Sequence, residues 1–223
     1  MGACCQRHRA SCGFTLIELL VAVAVMALMA LMGWRALDGM HSAIQGNQRH
    51  ADAVLALDAG LAQWTTDLDA LAVLPHTQPL EFDGRALYLT RNAQSGTAGG
   101  VQVVAWSRAE RTGQSHWVRW QSAPVQTREG WARAWADAHA WAQGATQFTD
   151  AEVRIVALDQ WQLYFYRGGA WSNPLSSAGA GTDAEAGNNI PDGIQLVLTV
   201  AVGHPLAGTL TRNWARTTVA GTP

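Results

Sequence analysis

Gly13-Phe14-Thr15-Leu16-Ile17-Glu18-Leu19-Leu20 joins a short leader carrying Arg7 and Arg9 to an apolar run that continues to Leu37. Within Phe14 to Leu37, Glu18 is the only ionisable residue before Arg35. Ala, Leu and Met dominate the run, no Pro interrupts it, and Gly33 is its first soft point, so one continuous helix is predicted. At about 1.5 Å per residue such a helix is roughly 35 Å long, enough to cross a bilayer core. Arg7 and Arg9 place the N-terminus on the cytoplasmic side and the rest of the chain beyond the membrane.

A secretory signal peptide also sets basic residues before an apolar stretch. Its apolar core is shorter, however, and its small-residue cleavage site lies beyond that core, with no reason for an acid at the start. A plain membrane anchor explains the length of the run but not Glu18, because a carboxylate in hydrocarbon is costly unless something uses its charge.

Gly13-Phe14-Thr15-Leu16-Ile17-Glu18 resembles the class III signal of type IV pilins and of the pseudopilins of type II secretion. The resemblance implies that a prepilin peptidase/methyltransferase cuts between Gly13 and Phe14 and methylates the new amino group of Phe14. It makes Glu18 the fifth residue of the mature chain, where it meets the N-terminal amine of a neighbouring subunit or its own. Such a pairing offsets the burial of both charges among packed helices.

The three cysteines, Cys4, Cys5 and Cys12, all lie in the leader, so a mature chain has none and its exported part cannot be held by disulfides. Cys4, Cys5, His8 and Cys12 could gather a metal, and a lipidated cysteine is conceivable, but the segment is too short to fold around a site and has no evident lipobox. Removing Arg7 and Arg9 from the 15 basic residues leaves 13 against 17 acidic ones, a net charge of about −4. With no lysine and scattered arginines, the chain does not read as a nucleic-acid binder.

Beyond the span, Ile44, Ala51, Val54, Leu55, Leu57, Leu61, Trp64, Leu68 and Leu71 recur at intervals of three and four. They predict an amphipathic continuation of the helix over 38–74, ended by Pro75, with Gln48, Arg49, Asp52, Gln63, Asp67 and Asp69 on its polar face. Gly33, Gly39 and Gly46 are points where it could bend. Short strands follow: 80–82 and 86–90 about an Asp83-Gly84 hairpin turn, then 101–106, 117–120, 153–157, 161–166, 194–202 and 209–214, with a second helix over 128–143. The expected fold is α+β and pilin-like, a long N-terminal helix with a transmembrane half (14–37) and an amphipathic half (38–74) packed on one antiparallel β-sheet domain (75–223).

The Gly- and Ala-rich stretch Ala178 to Asn189 reads as a solvated excursion rather than a calcium loop, since its acidic spacing fits no ligand set. Eleven tryptophans could form a sugar- or peptide-binding surface, but filling the core and sheet faces explains most of Trp106, Trp117, Trp120, Trp131, Trp135 and Trp141 more simply. No nucleophile elbow, Walker loop or His-Glu-x-x-His run occurs, and the histidines are dispersed. Ser172, after Tyr166-Arg167-Gly168-Gly169, reads as a strand end beside a tight turn rather than as a nucleophile. No catalytic residue, metal site or cofactor is expected.

Trp161-Gln162-Leu163-Tyr164-Phe165-Tyr166-Arg167-Gly168-Gly169-Ala170-Trp171, then Ile190-Pro191-Asp192-Gly193-Ile194-Gln195-Leu196-Val197-Leu198 and Gly208 to Trp214, resemble the C-terminal part of the J-type minor pseudopilins of type II secretion (general secretion pathway protein J). Trp34-Arg35-Ala36-Leu37-Asp38 and Thr90-Arg91 fit the same family. The resemblance implies a single-pass inner-membrane subunit with a periplasmic C-terminal domain. Its partners would be the I- and K-type minor pseudopilins, the major pseudopilin and the inner-membrane assembly platform. With the I- and K-type partners it would form the tip of a periplasmic pseudopilus driven by a separate ATPase. A minor pilin of a type IV pilus or DNA-uptake system shares this architecture, and a membrane-anchored periplasmic enzyme or binding module is the alternative of another class.

Overall fold

A computed structural model describes residues 14–93, 99–176 and 190–217. The leader, Gly13 and the stretch Ala178 to Asn189 lie outside the described residues. The chain forms two compact units, one ending at Arg49 and one beginning at His50. Helix α1 (Leu16–Asp69) runs through both.

In the first unit α1 is helical through Gly33, Gly39 and Gly46, and every side chain from Phe14 to Arg49 is exposed. An 18-residue window of α1 near the N-terminus has a mean hydropathy of 2.5, so the helix is long and apolar enough to cross a membrane.

The second unit holds the last turns of α1 and an antiparallel sheet of β1 (Leu80–Phe82), β2 (Ala86–Asn92), β3 (Val101–Arg111), β4 (Gln114–Gln121), β5 (Glu152–Arg167), β6 (Ala170–Ser172), β7 (Gly193–Val200) and β8 (Gly208–Ala215). Seven of them pair in the order β1-β2-β3-β4-β5-β7-β8, and β6 pairs with β5. Helix α2 (Arg128–Ala142) follows β4, its N-terminus capped by Thr127, whose hydroxyl accepts the Gly130 N–H at 3.1 Å. A six-residue 3-10 helix, Thr146–Ala151, follows, which the sequence reading did not anticipate.

The hairpin predicted at Asp83-Gly84 forms as expected. Asp83 Oδ1 accepts the N–H groups of Arg85 and Ala86, both at 2.7 Å, while Oδ2 accepts the Tyr88 hydroxyl at 2.8 Å. The two strands expected over 153–157 and 161–166 are instead one. Leu158 pairs with Val200 and Gln160 with Thr199, leaving Asp159 as an extra residue in β5. That bulge shifts the inward set from Val156 and Leu158 to Leu163 and Phe165, so one strand keeps an apolar face toward the core along its whole length. Its first half pairs with β4 and its second with β7. The chain then reverses through Gly168 and Gly169, at φ of 57° and 85°, a two-residue turn that only glycines take without strain.

Two cores flank the sheet. On one face Leu57, Trp64 and Leu68 of α1 pack against Leu87, Leu89, Trp106, Trp117, Leu163, Phe165, Ile194 and Leu196. On the other, Ala134, Ala138 and Trp141 of α2 pack against Ala86, Tyr88, Val103, Ala105, Val118 and Trp120. Trp64, Trp106 and Trp117 form a buried cluster with ring centroids 4.7 to 6.2 Å apart. Core filling therefore accounts for most of the tryptophans, whereas Trp34 and Trp171 are exposed.

Gly60 brings α1 close to this cluster. A Cβ there would lie 2.6 Å from Ile155 Cγ2 and 3.1 Å from Trp117 Cζ3. Ile155 Cγ2 sits on a stiff β-branched carbon and cannot swing away alone. Gly60→Ala should therefore lower the thermal midpoint, with a steric cost of roughly 1–3 kcal/mol exceeding the gain of about 1 kcal/mol in helix propensity. A thermal melt of the full chain in detergent checks this, and a raised midpoint would show that the helix can retreat.

Asp67, assigned by its spacing to the polar face, is fully buried beside Trp64 and Leu68. Its carboxylate is saturated with donors. Arg119 donates from Nε to Oδ2 at 2.7 Å and from Nη2 to Oδ1 at 3.0 Å, Trp106 Nε1 to Oδ2 at 2.9 Å, and Gln63 Nε2 to Oδ1 at 2.7 Å. The buried Arg91 donates from Nη1 to Oδ1. A carboxylate so paired can enter a core that a lone one could not.

The helix also stops at Asp69 rather than reaching Leu74. The Ala72 N–H bonds Thr90 O and the Asn92 N–H bonds Ala70 O, so residues 70–72 leave the helix to pair with β2 beyond the end of β1. Pro75 is not what ends it.

Glu152 fastens β5 to β3 and α2. It accepts from Arg111 Nη2 at 2.6 Å, Arg111 Nε at 3.0 Å and Trp141 Nε1 at 2.8 Å. Burial pushes its pKa up, but the bonds from Arg111 and Trp141, with Arg154 beyond, outweigh that and hold it below the ordinary value. The carboxylate thus contributes stability above its unfolded pKa of about 4.3, and that stability is lost as pH falls through the lower folded value. Chemical denaturation from pH 7 to 3 should show an acid-labile limb that is shallower in Glu152→Gln. An unchanged limb would mean that Glu152 does not set it.

Candidate functional site

The apolar helix begins with Thr15 as its cap. The backbone N–H of Thr15 donates to Glu18 Oε2 at 3.0 Å and its hydroxyl to the same oxygen at 2.9 Å. In return the Glu18 N–H approaches Thr15 O at 3.1 Å and Thr15 Oγ1 at 3.4 Å. The pair is a capping box, in which a threonine and a glutamate three residues on satisfy each other's N–H groups. Thr-x-x-Glu at Thr15 to Glu18 was present in the sequence, and its capping role was missed because the glutamate was read only as a partner for an N-terminal amine.

The arrangement fixes where the charge sits. Glu18 lies in the first turn, where free N–H groups and the helix dipole favour an anion. Both bonds from Thr15 fall on Oε2, and among the described residues Oε1 accepts none. Phe14, one residue before the cap, is 87% exposed. The turn thus brings two of the three sequence-predicted site residues, Phe14 and Glu18, to one helix end, and it leaves a carboxylate oxygen available to a cation.

The other candidates have partners of their own. Ser172 lies in β6, its hydroxyl 3.4 Å from Phe165 O, and His139 stacks on Tyr88 with centroids 3.9 Å apart. His41 bonds Gln45 and His204 Nδ1 accepts the Leu206 N–H. Among the described residues no group of three His, Cys, Asp or Glu side chains could hold a metal.

Residues 8–34 match the family model described as the prokaryotic N-terminal methylation motif. No curated protein matches the chain significantly. The matched segment contains Gly13, Phe14, Thr15 and Glu18 and most of the apolar run, which is a candidate membrane anchor. A class III signal implies processing by a prepilin peptidase and assembly with other pilins, and it points to a structural rather than a catalytic protein. A methylation motif on an apolar helix, in a chain that continues into a curled antiparallel sheet, indicates a type IV pilin-like protein.

Proposed function

We propose that the chain is a J-type minor pseudopilin of the type II secretion system, a subunit of the tip of the periplasmic pseudopilus that drives protein export across the outer membrane. The observation that carries the pilin-like part is Glu18, capped on one oxygen by Thr15 in the first turn of a helix whose apolar first part is exposed throughout. An exposed helix of that composition needs lipid or other helices around it, and a carboxylate at its head needs a cation. The amine of Phe14, freed by cleavage after Gly13 and methylated, supplies that cation from a neighbouring subunit.

The choice of the J type is supported by the segments that resemble that family. They fall on the second half of β5, on β6, on β7 and its approach from Ile190, and on β8. In this reading the subunit performs no chemistry. It sits in the inner membrane with its N-terminus in the cytoplasm and its domain in the periplasm, touching I- and K-type minor pseudopilins, the major pseudopilin and the assembly platform.

Two measurements test the proposal. Mass spectrometry of the membrane-extracted chain should find it beginning at a methylated Phe14, and a retained leader would refute processing there. A deletion strain compared with wild type should lose specific proteins from the culture supernatant while keeping surface pili. Normal secretion with lost pili or twitching would assign the chain to a type IV pilus instead.

A further inference from the structure

Two arginines in the second unit, Arg85 and Arg108, lie near one end of the β2-β3 pair. Ala86 of β2 pairs with Ser107 of β3 at the end of that register, so Arg85 in the turn just before β2 and Arg108 just after Ser107 lie at the same end of the strand pair. The Ser107 hydroxyl, donating to Arg85 O at 3.0 Å, confirms that the two backbones are still adjacent there. Among the described residues neither guanidinium has a hydrogen bond or an ion pair, and Glu110, two residues beyond Arg108, lies within ion-pair distance of neither. The other arginine nearby, Arg111, is already held by Glu152.

Both side chains line an open groove of about 560 Å³ between the β1-β2 turn, the end of β3, the C-terminal end of α2 at Gly144, and Trp161 of β5. Trp161 is half-buried, its ring set edge-on to Phe82 at 6.1 Å, so the groove has an aromatic wall beside two arginines that make no ion pair, with Glu110 also lining it. The carbonyl end of α2 offers only a fraction of a negative charge in return. This local excess stands on a chain whose net charge is −2.

We propose that this groove docks an extended acidic segment of a second polypeptide, its carboxylates taken by Arg85 and Arg108 and an adjacent apolar side chain lying on Trp161. Guanidinium forks match carboxylates in two-point geometry, and arginine with an aromatic neighbour is the composition enriched at protein interfaces. Two cations beside an indole suit a side-chain segment better than a run of phosphates, which needs a longer basic track. The groove lies within the folded domain and does not depend on whether the chain serves secretion or a pilus.

The test uses the full chain in neutral detergent and a fluorescently labelled hexaglutamate peptide, followed by anisotropy. Wild type should bind hexaglutamate and not hexaglutamine. Affinity should fall about tenfold or more in R85Q/R108Q, and again on raising salt well above physiological strength. The charge-matched control R133Q/R212Q should bind as wild type does. Because both side chains are exposed and make no ion pair, R85Q/R108Q should melt at the same temperature as wild type. No binding, equal binding by R85Q/R108Q, a loss shared by the control, or a lowered melting temperature would each overturn the proposal. Tighter retention of inorganic phosphate than of hexaglutamate would reassign the groove to phosphate groups and likewise overturn it.

Discussion

Asp67→Asn is expected to destabilise the domain by roughly 3–5 kcal/mol, the range found when one partner of a buried ion pair is removed. The substitution keeps the volume but removes the carboxylate that, among the described residues, is the one ion-pair partner of two buried guanidiniums, Arg91 and Arg119. It also turns an NH2 group toward donors, since Trp106 Nε1 and Gln63 Nε2 point at the same carboxylate. For a unit of this size the loss corresponds to a fall of roughly 10 °C or more in melting temperature. Replacing Asp67 by leucine together with both arginines by methionine should recover much of the loss, because an apolar cluster strands no charge. Thermal melts of the single and triple variants decide this. A single variant that melts like wild type would mean that the carboxylate is not what holds the arginines.

Glu18→Ala is expected to leave the domain folded and the helix in the membrane, but to cut incorporation into sheared or cross-linked filaments by about tenfold or more. Glu18 belongs to the first unit, while the cores and the Asp67 cluster belong to the second, so the melting temperature of the domain should not move. Thr15→Ala removes the hydroxyl bond to Oε2 but keeps the carboxylate, and should reduce incorporation far less. If both variants fail alike, helix capping rather than the charge is what assembly requires. Normal incorporation of Glu18→Ala would remove the acid from the mechanism.

The parts of this fold that announce themselves in the sequence are those in which a local pattern and its environment agree. Phe14 to Leu37 is apolar throughout, Asp83-Gly84 sits between alternating strands, and Trp131, Trp135 and Ala138 mark one side of α2. The misreadings occur where a distant partner reverses a local preference. Asp67 looks like a surface residue until Arg91 and Arg119, contributed by two other strands, are beside it. Leu158-Asp159-Gln160 looks like a break between strands because a bulge places polar residues in sequence without interrupting the pairing. β6 is only three residues long, too short for any periodicity to register. At the N-terminus Gly13, Phe14 and Glu18 could be singled out because a processing signal is read as a linear stretch. The gathering of Arg85 and Arg108 at one groove could not, since the turn before β2 and the later part of β3 are brought together only once the sheet forms.

Trp214 Nε1 donates to Asp69 Oδ1 at 2.7 Å across 145 residues of sequence. The end of α1 is thus tied both to early strands, through Asp67, and to the last strand, through Asp69. High contact order of this kind makes folding a late event, because loop-closure entropy is spent before the closing contacts form. Of β8 only Trp214 is buried, so the last strand closes the edge of the sheet beside β7 and the end of α1, whereas the tryptophan cluster is built from α1, β3 and β4. Without β8 the chain would leave β7 an unpaired edge and Asp69 without its Trp214 bond, so the last strand to be made both finishes the sheet and ties down the helix made first.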